Sequence, residues 1–493
     1  MSNGIKTLAK ETAIYGLSSI IGRFLNWMLV PIYTRVLTGT GEYGIVTELY
    51  GWVALLLIIL TYGMETGFFR FINKKEESNP IRIYSTILYS LIATSVLFVV
   101  AVFLFLQPVG QALGYANHLE FIGMIAIIVA IDAFLCIPFA YLRYQGKAWR
   151  FATFKLLAIG LFISLNIFFL VICPRIYATH PEWIVRFYKP DYGVGYIFIS
   201  NLLSTFFTLL LLLPDILPGL RDKMDFRLLR QILKYSYPIL LLGIAGIFNQ
   251  TADKILFRFL FEDKTYAAEQ LGIYGACFRI AVVMVMFIQA FRYAYEPFVF
   301  AKHKKDDDSL TAYIEAMKYF IIFALVIFLG VMFYLDILKY FVGSSYYAGL
   351  IVVPIVMLGE LFFGIYFNLS IWYKLTDKTL WGACFSTIGC VMTVAVIFLF
   401  VPRYGFIACA WASFASNLLM MLFSYFIGQK KYPVSYDLRS AGFYGLLAAG
   451  FYLVGMWPQI DSLILRLAYR SVLLILLMGI IYKREFKQLK IES

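Results

Sequence analysis

The sequence has little charge and almost no histidine. Of 493 residues 14% are Asp, Glu, Lys or Arg and three are His, too few to cover most of the chain with a solvated surface. His118, His180 and His303 form no cluster, so neither a metal nor a cofactor is expected. The six cysteines, at 136, 173, 277, 384, 390 and 409, lie in or beside apolar runs and show no CxxC spacing. That excludes a zinc ribbon or a dithiol motif and leaves them as small buried hydrophobes. The basic start lacks a small-residue cleavage site, so no removable signal peptide is expected.

What is present is apolar. Hydrophobic residues make up 62% of the chain and the mean hydropathy is +0.81, with repeated runs long enough to cross a bilayer. The expected fold is all-α and polytopic, with fourteen transmembrane helices over 12–37, 43–72, 81–106, 119–144, 151–173, 193–213, 235–260, 271–298, 312–334, 346–373, 380–401, 405–428, 438–456 and 462–482. No soluble domain is left over.

Lysine and arginine fix the expected orientation, because basic loops stay on the cytoplasmic side. Of the 42 basic residues, 28 fall in the two termini and the even-numbered connections and 8 on the opposite side. Arg143 and Lys155 count among the 28 and Arg258 among the 8. Both termini are therefore expected in the cytoplasm, and the net charge of +13 reflects topology rather than nucleic-acid binding. Six basic residues remain inside helices: Arg23, Lys254, Arg279, Arg292, Arg466 and Arg470.

A repeat underlies the spans. An ungapped offset of 231 residues aligns EYGIVTELYG (42–51) with IYGACFRIAV (273–282). It also carries Tyr43 onto Tyr274, Gly44 onto Gly275, Tyr62 onto Tyr293, Glu65 onto Glu296, Arg23 onto Lys254 and Arg143 onto Lys374. Spans 1 to 6 thus recur as 7 to 12. Six is even, so the halves share one orientation and a pseudo-twofold axis along the membrane normal. The division expected is an N-lobe over 1–213, a cytoplasmic linker over 214–234, a C-lobe over 235–428, and two further helices with a cytoplasmic tail over 429–493.

Within the first span, Gly16, Ser19, Arg23 and Asn26 fall at i, i+3, i+7 and i+10, one polar stripe on an apolar helix. An arginine facing lipid near the midplane costs at least about 2.5 to 3.5 kcal/mol, so the stripe is expected to face protein or water. Two readings stay open for Arg23: a side chain satisfied by carbonyls or a carboxylate, or a contact to substrate.

GRFLNWMLVPIYTRVLTGTGEYG in the first two spans, with QTADKILFRFLFED and LGIYGACFRIAVVMVMFIQAFRYAYEPF in the seventh and eighth, resembles the polysaccharide-transporter branch of the multidrug/oligosaccharidyl-lipid/polysaccharide (MOP) exporter superfamily, the Wzx-type O-antigen flippases. The resemblance covers essentially all fourteen spans. It implies a V-shaped transporter of two six-helix lobes plus two C-terminal helices, with helices 1, 2, 7 and 8 lining a cavity. It also implies a multi-pass protein of the bacterial inner membrane that moves an undecaprenyl-pyrophosphate-linked oligosaccharide to the periplasmic face.

That cargo is a polyanionic head on an apolar tail, so it needs a hydrated, cationic path. Arginine suits it because its planar fork binds phosphate oxygens in pairs. The expected cationic site is Arg23, Arg292, Arg279 and Lys254, with Asn26 beside Arg23. Intramembrane acids form a second set: Asp132 and Glu360 as candidates for coupling to H+ or Na+, and Glu48, Glu65 and Glu296 as gate candidates, each with the alternative of neutralising a nearby base. The repeat sets Glu48 opposite Arg279 as an expected latch, and nearness in sequence gives Arg70 and Arg292 as local counter-charges for Glu65 and Glu296. Arg466 and Arg470 are expected to snorkel to the interface or to admit the lipid-linked head.

The expected partners are the lipid-linked oligosaccharide and the bilayer, with a polymerase and glycosyltransferases as possible associates, around a monomer. A lipid II flippase and a multidrug exporter share the architecture. A membrane glycan polymerase or ligase is the competitor from another class, but the Asp306–Asp308 run reads as solvated loop and the longest outer loop, 174–192, carries no catalytic cluster.

Overall fold

The computed structural model describes residues 3–73, 79–303, 309–376 and 378–486, with side chains from Ile14 onward except at 294, 296–310, 312 and 486. Among the described residues the regular structure is entirely helical. Twelve helices among the described residues have the length and composition to cross a membrane, which makes this a multi-pass membrane protein. The expected first and thirteenth spans also form helices, Asn3–Trp27 and Leu438–Met456, but they are not among the twelve.

The chain divides into two compact units, residues 1–275 with 397–403, and residues 276–396 with 404–493. In the first unit the helices are α1 (Asn3–Trp27), α2 (Val30–Val36), α3 (Thr40–Thr61), α4 (Met64–Ile72), α5 (Pro80–Leu104), α6 (Leu106–Leu113), α7 (Leu119–Tyr144), α8 (Ala148–Ile167), α9 (Cys173–Thr179), α10 (Pro181–Ile184), α11 (Gly195–Ile216), α12 (Phe226–Ile255) and the start of α13 (Lys264–His303). The second unit holds the rest of α13, then α14 (Ser309–Phe333), α15 (Leu335–Leu338), α16 (Val352–Leu369), α17 (Ile371–Leu375), α18 (Leu380–Tyr404, shared with the first unit), α19 (Phe406–Lys431), α20 (Leu438–Met456) and α21 (Leu463–Ile481).

The lobes drawn from the repeat follow sequence similarity, whereas the units follow packing. They differ at the seventh span: α12 packs on α3, α4 and α5 of the first unit. Its Leu228 and Ile232 join Met64, Phe68, Tyr84 and Leu88 in one apolar cluster.

Local chemistry sets the helix ends. Asn79 caps α5, its side chain accepting from the Ile81 and Arg82 amides with Pro80 at the first position. Asp225 caps α12 in the same way through the Arg227 and Leu228 amides. The Leu228 and then the Arg227 amide, with the Arg82 and Arg227 charges, hold this carboxyl below its ordinary range. A group so depressed stabilises the folded helix start above the ordinary Asp range and loses that contribution as pH falls through its own lowered value. Hydrogen exchange at the first amides of α12 should therefore quicken in Asp225→Ala at neutral pH, and in the parent only in strong acid.

The expected second span is broken. Tyr62 and Gly63 both take left-handed backbone, with φ of 32° and 72°, which ends α3 and starts α4. For tyrosine this conformation is disfavoured. It is held by a 2.7 Å hydrogen bond between the Tyr62 and Ser90 hydroxyls, and the Ser236 hydroxyl donates to the Gly63 carbonyl at 3.3 Å. The repeat-equivalent Tyr293 lies inside the unbroken α13, so the two copies have diverged at this joint.

In the second unit, Arg470 is buried and donates to Asp336 (2.8 Å) and to the Phe333 and Gly455 carbonyls, while Arg466 lies 3.0 Å from the same Asp336. This corrects the expectation that the pair snorkels or meets substrate: both arginines tie α21 to α15 through Asp336, and Arg470 also reaches the end of α14.

Candidate functional site

The intramembrane charges of the first unit fall into separate groups. Glu48, on α3, is 1% exposed. It accepts from the Tyr115 hydroxyl at 2.7 Å and from Arg258 at 3.2 Å, and Arg258 also donates to the Gly114 carbonyl at 3.0 Å. The guanidinium carbon stands 4.2 Å from the Tyr115 ring centroid. Gly114 takes φ +75° to close α6, and a side chain there would meet the guanidinium. Thus the carboxylate expected opposite Arg279 is committed to Arg258 and Tyr115 of its own unit, and Arg279 is an exposed position of the second unit.

A second group surrounds the end of α12. The Lys254 ammonium lies 2.9 Å from both carboxylate oxygens of Asp253, and the Tyr274 hydroxyl donates to Asp253 at 2.6 Å. Lys254, expected as a cavity cation, therefore has a counter-charge at its side. Its repeat mate Arg23 has none: Arg23 and Asn26 are exposed, and Arg23 makes no hydrogen bond or ion pair among the described residues.

The third group runs along the start of α8. Glu65 pairs with Arg143, not with the expected Arg70, whose guanidinium sits 5.0 Å from the Tyr235 ring. Arg143 also lies 5.0 Å from the Phe69 ring. The exposed Lys155 rests its ammonium 4.1 Å from the Phe139 ring. Asp132, half-buried, accepts a 3.4 Å bond from Thr205.

Close packing between α3 and α13 completes the unit. A methyl group on Gly44 would stand 1.9 Å from the Ala268 carbonyl oxygen, and one on Gly272 would stand 1.8 Å from that of Thr40. Gly275, the repeat mate of Gly44, would meet Thr47 at 2.3 Å. Only glycine permits this approach of backbones.

In the second unit Arg292 is exposed, 4.8 Å from the Phe367 ring, and Lys374 approaches the same ring at 4.5 Å. Glu360 is half-buried on α16, and the side chain of Glu296 lies outside the described residues. A largely apolar pocket of about 300 Å³ opens among α14, α16, α19 and α20, with Lys318, Tyr436 and Asp437 as its polar members. Among the described residues no group of three or more His, Cys, Asp or Glu could hold a metal ion.

Sequence reasoning missed three basic residues that matter here. Arg143, Lys155 and Arg258 were counted with the loops, yet Arg143 and Lys155 lie in helices and Arg258 is 7% exposed. A signal existed for all three, since the span boundaries 119–144, 151–173 and 235–260 already enclose Arg143, Lys155 and Arg258.

The family model described as "Polysaccharide biosynthesis protein" matches residues 8–303. No curated protein matches the chain. Among solved structures, "Lipid II flippase MurJ, inward closed conformation" superposes with a TM-score of 0.71 at 15% identity, covering 95% of this chain and 98% of that one. "Inward-facing conformation of a multidrug resistance MATE family transporter of the MOP superfamily" follows with 0.64 at 14%, covering 83% and 94%. "Crystal structure of MATE in the straight conformation" gives 0.60 at 15%, covering 86% and 95%. At such identities the likeness is one of fold.

Proposed function

The chain belongs to the polysaccharide biosynthesis protein family, and from that premise we propose that it is a lipid-linked glycan flippase rather than an enzyme. The cargo we infer is an undecaprenyl-pyrophosphate-linked oligosaccharide, an O-antigen, capsule or exopolysaccharide unit. It passes from the cytoplasmic to the periplasmic leaflet of the bacterial inner membrane by alternating access, with both termini in the cytoplasm.

The observation that carries this reading is Arg23. It sits exposed and unpartnered among the described residues, on a helix that is otherwise largely apolar. In hydrocarbon that position is unfavourable by kcal/mol, so the guanidinium belongs in water or against an anion. Arg292 and Arg279, also exposed, extend the cationic set. Lys254 contributes less than Arg23, because Asp253 already compensates it. Asp132 and Glu360 are the acids proposed for exchange with H+ or Na+.

Expression of Arg23→Ala in a strain lacking its flippase tests the site. Surface glycan should fall by about tenfold or more at unchanged membrane level, the loss expected for a charge-assisted phosphate contact, and Arg23→Lys should retain part of it. Normal glycan display by the alanine variant would refute the role. The fold likeness to a lipid II flippase supports a second reading, transport of a peptidoglycan precursor. Rescue of cell-wall synthesis instead of surface glycan would select it.

A further inference from the structure

Helices α1 and α8 run side by side and parallel within the first unit. Tyr15 meets Phe151 edge to face at 5.1 Å, and a methyl group on Gly22 would stand 2.5 Å from the Ile159 side chain. These contacts pair residues 136 and 137 apart, so Ser19 lies level with Lys155. Arg23 then stands four residues further along, about 6 Å by helix rise.

Lys155 and Arg23 have one condition in common. Both are exposed, and neither has a hydrogen bond or ion pair among the described residues. By contrast Arg143, Lys254 and Arg258 each have a carboxylate. The charged groups facing Lys155 are Asp132, Glu65 and Arg143, with the Cys136 thiol beside them. Glu65 pairs with Arg143 and Asp132 accepts from Thr205; both acids act on the ammonium through their charge, but neither makes an ion pair with it among the described residues. The stem is nevertheless fixed: the ammonium rests on the Phe139 ring, and Phe139 packs edge to face on Phe151 at 5.3 Å. A positioned cation with open valence one helical turn from a second one is the arrangement that a phosphate or diphosphate group needs.

We propose that Lys155 is a second anion ligand beside Arg23, the two forming a ladder on the neighbouring α1 and α8 along which a phosphorylated lipid head is handed from Lys155 to Arg23. This rests on the reading that the cargo head is anionic. It adds a residue that the basic-loop tally had assigned to the cytoplasmic surface.

The test uses the full chain in lipid nanodiscs, with undecaprenyl diphosphate as probe and undecaprenol as its uncharged control. Lys155→Met, which keeps the stem over Phe139, should weaken diphosphate binding about tenfold and leave undecaprenol binding and thermal stability unchanged. Lys155→Arg should retain the affinity. Parent-like diphosphate binding by Lys155→Met, with Arg23→Ala impaired, would overturn the ladder and leave the cargo reading standing. Equal loss for both lipids together with lowered thermal stability would also overturn it, by making Lys155 a packing residue. If the parent itself does not prefer the diphosphate to the alcohol, the cargo reading fails first.

Discussion

Replacing Arg258 with alanine is expected to destabilise the protein by about 3–5 kcal/mol, the loss typical when one partner of a buried ion pair is removed. The size follows from what is left behind. Glu48 is 1% exposed, its hydrogen bond from Tyr115 answers one carboxylate oxygen, and its other oxygen already has no partner among the described residues. Without Arg258 the carboxylate must either hold a proton or remain an uncompensated charge in a medium that solvates it poorly. Gly114 would also lose the donor to its carbonyl.

The double variant Glu48→Ala/Arg258→Ala should recover much of the loss, because it removes the stranded charge along with its partner. Thermal unfolding of the four proteins of this cycle in one detergent is the measurement. Additive losses would mean that the two residues do not act as a pair. Glu48→Gln should fall in between, since an amide can still accept from Arg258 and Tyr115 without the charge.

The second large effect is expected at the glycine crossing. Gly272→Val places a branched side chain where even its first carbon would stand 1.8 Å from the Thr40 carbonyl oxygen. Backbone cannot move aside as a flexible side chain can, so α3 and α13 must separate locally. Overpacking of this kind typically costs about 1–3 kcal/mol, and Gly44→Val should behave alike because its neighbour is the Ala268 carbonyl. A useful contrast is Gly160→Ala, where a methyl group meets nothing within 4 Å and a mid-helix glycine is lost, so stability should rise slightly. If the crossing variants unfold at the parent temperature while Gly160→Ala does not gain, the close approach is not a stabilising contact. Should α3 and α13 part during transport, as alternating access requires of some helix pair, the valine variants should also change turnover more than their membrane level accounts for.

Helix existence and class were legible from the sequence because they depend on solvent more than on neighbours. A run of about twenty apolar residues has one stable form in hydrocarbon, a helix that satisfies its own backbone. The pattern around Arg23, the repeat at 231 residues and the glycines at 44 and 275 could be read directly, since periodicity and identity are properties of one strand of text. The joint at Tyr62–Gly63 could not, because a tyrosine in left-handed backbone is disfavoured locally and persists only with Ser90 and Ser236 supplied by α5 and α12.

Charge partners were the other limit. Sequence proximity and repeat symmetry suggested Arg70 for Glu65 and Arg279 for Glu48, but the choice belongs to lateral packing: α7 brings Arg143 to Glu65, and the turn after α12 brings Arg258 to Glu48. The sequence alone determined that this is a multi-pass helical membrane protein built on a duplicated unit, since chain-length burial in lipid follows from composition. Only the tertiary structure decided which intramembrane cations are held in ion pairs and which, like Arg23 and Lys155, make none among the described residues, because Coulomb energy depends on distances of a few ångströms between residues that the chain itself separates by tens or hundreds of positions.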